Sequence, residues 1–208
     1  MDRDSLLSTI AEMGYNVGFG AKKHFATYDI VQKTPGLIGF LGFVVGVFSL
    51  VFDSLAGKIP SATLTVLGVM GLYISLRDHR KAEYEAVAKQ LTLLFNQLRN
   101  LCRSVEAGAD ISQSLAELQR IEKEYYAISI SEQILLSDWY AHYKFFAQQQ
   151  IDWIEKYRNF TFRDKVPLSV RAIGLCMILF CVGGLGYLGW TMWQTSTHLC
   201  PIAKTAQL

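Results

Sequence analysis

The chain has 208 residues and a formal net charge of +2, from 20 Lys and Arg against 18 Asp and Glu. Hydrophobic residues make up 51% and charged residues only 18%, against roughly a quarter charged in soluble domains, and the mean hydropathy is +0.21. These values exclude a disordered chain, a collagen-like or disulfide scaffold, and a strongly basic nucleic-acid binder. Charge is also uneven: 26 of the 38 charged residues fall between Arg77 and Lys165, in equal numbers of each sign. The pattern is that of a membrane protein with a water-facing middle.

In chain order, the first 34 residues read as an amphipathic helix, with Leu6, Ile10, Met13 and Val17 on one face. Gly14 and Gly18 form a small-xxx-small pair that lets another helix come close. Asp2, Asp4, Glu12 and Asp29 leave no apolar core for a cleavable leader. Residues 36–52 then carry no ionisable side chain; as a helix they span roughly 26 Å, close to the ~30 Å of a hydrocarbon core. Residues 59–76 repeat the pattern after a six-residue connection, so the two spans form a hairpin within residues 35–76.

Beyond Arg77, the residues Tyr84, Val87, Leu91, Leu94, Leu98, Leu101 and Val105 recur every three or four positions, an apolar seam on one helix. The seam begins so close to Leu76 that span two is expected to continue into it as one helix. Gly108 is a natural helix stop and Asp110 a natural N-cap. A second seam follows through Leu115, Leu118, Ile121, Tyr125 and Ile128. It skips Glu132 and resumes at Leu135, Trp139, His142, Phe146 and Trp153. A bend near Ser129–Ser131 and a last helix to about Phe160 are expected. Residues 172–193 form a third uncharged block. The predicted organisation is an all-α membrane protein: N-terminal helix 1–34, hairpin 35–76, a cytoplasmic helical hairpin or bundle over 77–167, a third C-terminal span within 168–194, and a tail over 195–208.

Orientation follows from basic residues near the span ends. Ten lie on the side of the N-terminus and the charged middle, and two, Lys58 and Lys204, on the other. The N-terminus and residues 77–167 are therefore expected in the cytoplasm, and the C-terminal tail outside.

A search for chemistry returns little. Residues 18–23 look like a phosphate loop but lack its spacing. Cys102, Cys176, Cys181 and Cys200 include no CxxC pair, and no Cys/His set has metal spacing. The aromatic run from Trp139 to Phe162 is balanced in charge, which favours helix packing and interface anchoring over base stacking. His142 lies on the seam and can pair with Asp138 at i, i+4, yet no nucleophile accompanies them. We expect no enzyme, no cofactor, no metal and no direct nucleic-acid binding. The spans hold no central charge of the kind ion-coupled carriers keep. They do hold Gly39, Gly42, Gly46, Gly68 and Gly71, candidate surfaces for helix–helix contact in lipid. Three spans cannot enclose a water path, so a pore requires a homo-oligomer, with the seam from Tyr84 to Val105 as candidate assembly element. A constitutive scaffold that recruits cytosolic partners without forming a pore stands as the alternative.

Three segments carry a family resemblance: residues 15–25, with Tyr15, Asn16, Gly18, Gly20, Lys22, Lys23 and His24; residues 137–146, with Asp138, Trp139, Tyr140, His142 and Lys144; and residues 164–169. Together with the glycine-rich hairpin they resemble the SLATT domain family, the SMODS- and SLOG-associating two-TM effector domain, over roughly residues 8–170. The chain departs from a minimal two-span member by its third span. The resemblance implies a bacterial inner-membrane effector of anti-phage conflict systems, a pore-former that acts in abortive infection. It implies a sensing partner: a nucleotide second-messenger synthase, a SLOG protein or a reverse transcriptase.

Overall fold

The computed structural model describes residues 2–167, 170–172, 174–179 and 183. Among them there are helices and turns and no strand. Residues up to Thr161 form one compact unit and those from Phe162 onward a second.

Helix α1 runs unbroken from Arg3 to Phe48, 46 residues and roughly 69 Å. Asp2 caps it, its carboxylate accepting the Ser5 N–H at 2.9 Å, and Asp4 adds a favourable charge in the first turn. The sequence suggests a boundary at 34/35, but Pro35 lies inside the helix. Proline removes one N–H and crowds the carbonyl four residues back, here Val31. The helix runs on across that defect, with Val31 buried one turn before it.

A short connection with a 3-10 turn at Asp53–Leu55 leads into α2, Lys58–Ser75. The expected single helix from span two into the seam is interrupted. The chain turns at Leu76 and Arg77, tightens into a 3-10 turn at Asp78–Arg80, and restarts as α3, Lys81–Glu106. Two ion pairs lie across this segment: Lys81 reaches Asp78 at 2.8 Å and Arg80 reaches Glu83 at 2.9 Å. The rod that runs from helical body to span without interruption is therefore α1, and the return strand of the hairpin is α2 followed by α3.

α3 ends as its sequence indicates. Gly108 takes φ +100°, where a side chain would be strained. Its N–H bonds the Val105 carbonyl, and the Ala109 N–H bonds that of Ser104, the paired pattern of a glycine-terminated helix. Asp110 then caps α4, Ile111–Ile128, by accepting the Gln113 N–H at 2.8 Å.

The second half of the body differs from the periodicity. Helix α5 spans Ser137–Gln148 and α6 only Asp152–Glu155, so no helix continues to Phe160. The buried column of α5 is Ser137, Ala141 and Phe145, not the Leu135–Trp139–His142–Phe146 line. Small residues face inward there because α5 lies close against α1. Leu135 is left 70% exposed.

The core joins α1 residues Leu6, Ile10 and Val17 to α3 residues Leu91, Leu94 and Leu98, closed by Leu118, Ile121, Phe145 and Ile154. In the second unit, Phe162–Lys165 forms one helical turn and Val170–Leu179 a short apolar helix. The rest of the expected third span and tail lies outside the described residues.

Candidate functional site

Among the described residues, two helices are long and apolar enough to cross a membrane, and they are not core helices. Of the most apolar stretch of α1 only 6% is buried, and of the corresponding stretch that begins in α2, 11%. Phe40, Phe43, Leu50, Ile59, Val66 and Leu72 stand on the outside, where burial in lipid rather than protein would satisfy them. Hydroxyls on α2 bond within their own helix: Thr63 donates to the Ile59 carbonyl at 2.9 Å, and Thr65 to that of Ser61 at 2.9 Å.

Of the expected interface glycines, Gly39, Gly42, Gly46 and Gly68 have nothing within 4 Å of where a Cβ would stand. Gly71 alone meets the other span, through the Ile38 side chain at 3.6 Å. Among the described residues, the faces of those four glycines thus carry no packing contact. The seam is the opposite case. Tyr84, Leu91, Leu98 and Val105 are fully buried, Val87 and Leu94 nearly so, and Leu101 packs against the same core. The candidate assembly surface is spent inside the chain, because α1 supplies the complementary apolar face.

Where the hairpin meets the body, residues 129–136 form a non-helical strap between α4 and α5. α1 holds it through His24. The His24 Nδ1–H donates to the Gly20 carbonyl at 2.8 Å, and Nε2 accepts the Ile130 N–H at 3.1 Å. Those partners select the Nδ1–H tautomer. Gln133 adds a contact from its amide nitrogen to the same Nε2 at 3.2 Å and accepts the Thr27 hydroxyl at 2.5 Å. Burial lowers the His24 pKa; the bond to Gly20 opposes that shift and the nearby Lys23 reinforces it. From α3, Tyr84 donates to the Glu132 carbonyl at 2.8 Å, and from the 3-10 turn before it Arg80 pairs with the Glu132 carboxylate at 2.7 Å. Ile134 then wedges between Val31 and Ile74.

The segments singled out near residues 15–24 and 138–144 lie side by side on α1 and α5. Lys23 pairs with Asp138 at 2.8 Å, which gives Asp138 a partner other than the expected His142. The His142 ring sits against Phe19 and Phe146, with a buried Nδ1 that makes no hydrogen bond. Lys144 lies over the Tyr140 ring at 4.4 Å and donates to Asp29, which also takes Lys33 at 2.6 Å. Burial pushes the Asp29 carboxyl up, but those two ammonium groups outweigh it and hold it below the usual range. Lys22 is pushed down by burial and by the Lys144 charge. Trp139 is partly exposed.

Gly14 and Gly18 are slots for aromatic rings. A Cβ at Gly14 would stand 2.3 Å from Trp153, and one at Gly18 2.7 Å from Phe95 and 2.9 Å from Phe145. Gly20 faces Tyr125. Tyr15 stacks edge-on to Phe145 and carries Arg158 over its other face at 4.4 Å. A cleft of about 320 Å³ opens beside these residues, with Asn16, Lys23 and Ser129 on its walls. Burial raises the Cys102 thiol to about 11, so it stays protonated and unreactive. Among the described residues, no three His, Cys, Asp or Glu side chains converge as metal ligands would.

Sequence reasoning missed the strap. Ser129–Ser131 signalled a bend, but the partners of that bend come from α1 and α3, more than a hundred and about fifty residues away. Comparison with known families gives one match: SMODS and SLOG-associating 2TM effector domain 6, over residues 1–173. No curated protein and no solved structure matches the chain.

Proposed function

The chain belongs to the SMODS and SLOG-associating 2TM effector domain family, the SLATT effectors associated with defence systems, and from that premise we propose that it permeabilises or depolarises the bacterial inner membrane when a partner senses infection. The observation that carries this reading is the bare hairpin: two uncharged helical stretches, outward-facing and unburied, with the first continuous with the folded body through α1. A body rigidly joined to a span can transmit a tilt or rotation into the membrane.

The protein acts as an oligomer. Two or three helices cannot surround water, and no described residue covers the glycine faces of Gly39, Gly42, Gly46 and Gly68, which suit contact between copies. The seam, being internal, is not the assembly element. Basic residues concentrate at the body side of the spans, which supports a cytoplasmic N-terminus and body. The apolar block over 172–193 serves as a third span. The trigger comes from a nucleotide synthase, a SLOG protein or a reverse transcriptase, and activation is a population shift from closed to open assemblies. The protein is an effector and not an enzyme.

The test is dye release from liposomes holding the purified protein and its activating partner. Leakage that depends on both is expected. Intact liposomes under conditions where the two bind each other would refute permeabilisation and leave the scaffold.

A further inference from the structure

The strap has a second face, turned toward the hairpin. Ile30 and Thr34 of α1, Val69, Met70 and Tyr73 of α2, and the strap tip at 134–136 enclose a groove of about 420 Å³. That volume lies within the roughly 300–1,000 Å³ of small-ligand sites. Apart from the Thr34 and Tyr73 hydroxyls, its wall side chains are hydrocarbon or thioether. Ile134 and Ile74 close its floor, almost fully buried, whereas Leu135 is 70% and Leu136 49% exposed. Leu136 holds φ 70°, a left-handed conformation that strains a leucine. It is held there by the turn into α5, where the Tyr140 N–H bonds its carbonyl, and its side chain lines the groove.

The groove's position identifies its occupant. Val69 to Ile74 belong to the second half of α2, Lys58–Ser75, so the strap tip meets the hairpin inside the apolar stretch rather than beyond it. Val69, Met70 and Tyr73 continue outward into the exposed face of that helix, so the groove opens onto the surface that lipid covers. Trp139 and Tyr143 are exposed one and two turns along α5 from Leu136, and they are the residue types that settle at a membrane–water boundary.

We propose that this groove holds one acyl chain of a membrane lipid, with the strap tip dipping into the bilayer as its wall. The proposal rests on the hairpin being in the membrane. The groove would then be a lipid-occupied joint between body and spans, its strap wall tied directly to His24 and Tyr84 of the body.

Photolabelling tests it, with full-length protein reconstituted in phosphatidylcholine vesicles that contain a lipid bearing a diazirine on its acyl chain. Labelled peptides are mapped by mass spectrometry. Label is expected on residues 134–136 and 69–74 as well as on the hairpin around Phe40 and Phe43. The variant Leu135→Asn/Leu136→Asn should lose strap labelling several-fold while the Phe40–Phe43 signal is unchanged; asparagine tolerates φ 70°, so the turn is kept. A labelled hairpin with an unlabelled strap would overturn the acyl-chain site and leave the membrane reading intact. An unlabelled hairpin would overturn both. Copy-to-copy cross-links through the strap, with no lipid label there, would assign the groove to a second chain and also overturn the proposal.

Discussion

His24 is the residue on which the strap turns. Its Nε2 accepts a backbone N–H and lies within reach of a side-chain amide, so a protonated ring would set one more donor against them. Lys23 on its own helix, together with Tyr84 and Gln133 from the facing elements, surrounds it, and among the described residues no carboxylate contacts the ring to favour the cation. With its pKa lowered in the fold, His24 contributes stability that is present above about 6.5, its unperturbed value, and is lost as pH falls through the folded pKa. Melting of detergent-solubilised protein should therefore show an acid-side loss between pH 7.5 and 5.5 that His24→Ala lacks. The same variant should melt lower at neutral pH, by about 1–3 kcal/mol, because the Ile130 N–H is left unsatisfied. Gly18 makes a second residue-scale prediction. Gly18→Val drives a side chain into Phe95 and Phe145 and should cost about 1–3 kcal/mol by overpacking, read as a lower melting temperature.

At the level of helices, α3 separates a packing role from an assembly role. Leu94 is buried and its neighbour Leu93 is 62% exposed. Leu94→Ala should destabilise the body by about 2–5 kcal/mol, and Leu93→Ala should stay within about 0.5 kcal/mol; urea unfolding followed by circular dichroism distinguishes them. Equal effects would mean that the seam is not internal. Much of this architecture was legible beforehand. Uncharged runs mark the hairpin because lipid tolerates no charge, and the Gly108–Asp110 punctuation follows from backbone chemistry alone. The α3 seam was legible as a seam, but its partner was not, since periodicity says that a face is buried and never against what. The α5 face was misread for a related reason: Trp139, His142 and Phe146 look apolar in sequence, whereas the close approach of α1 demands Ser137 and Ala141. The break at Leu76–Arg80 has no glycine or proline to announce it.

For the molecule as a whole, the free faces decide what copies can do to one another. Gly42→Leu meets no atom of the described residues, so the monomer should fold and insert as before. It should nevertheless reduce dye release, because a bulky side chain holds neighbouring helices apart. Unchanged leakage, with assembly preserved on native gels, would move the contact away from that face. The convergence of residues 15–24 with 138–144 also answers why those segments stand out: α1 and α5 meet there, joined by Lys23–Asp138 and Lys144–Asp29.

Pro35 gives the long first helix one soft spot. The proline offers no N–H to the carbonyl of Val31, so the rod bends there more cheaply than anywhere else along its length. Val31 is also where Ile134 is wedged. The weak point and its splint thus coincide, and loosening the splint would let the outer half of the rod swing while the inner half keeps every turn of its winding.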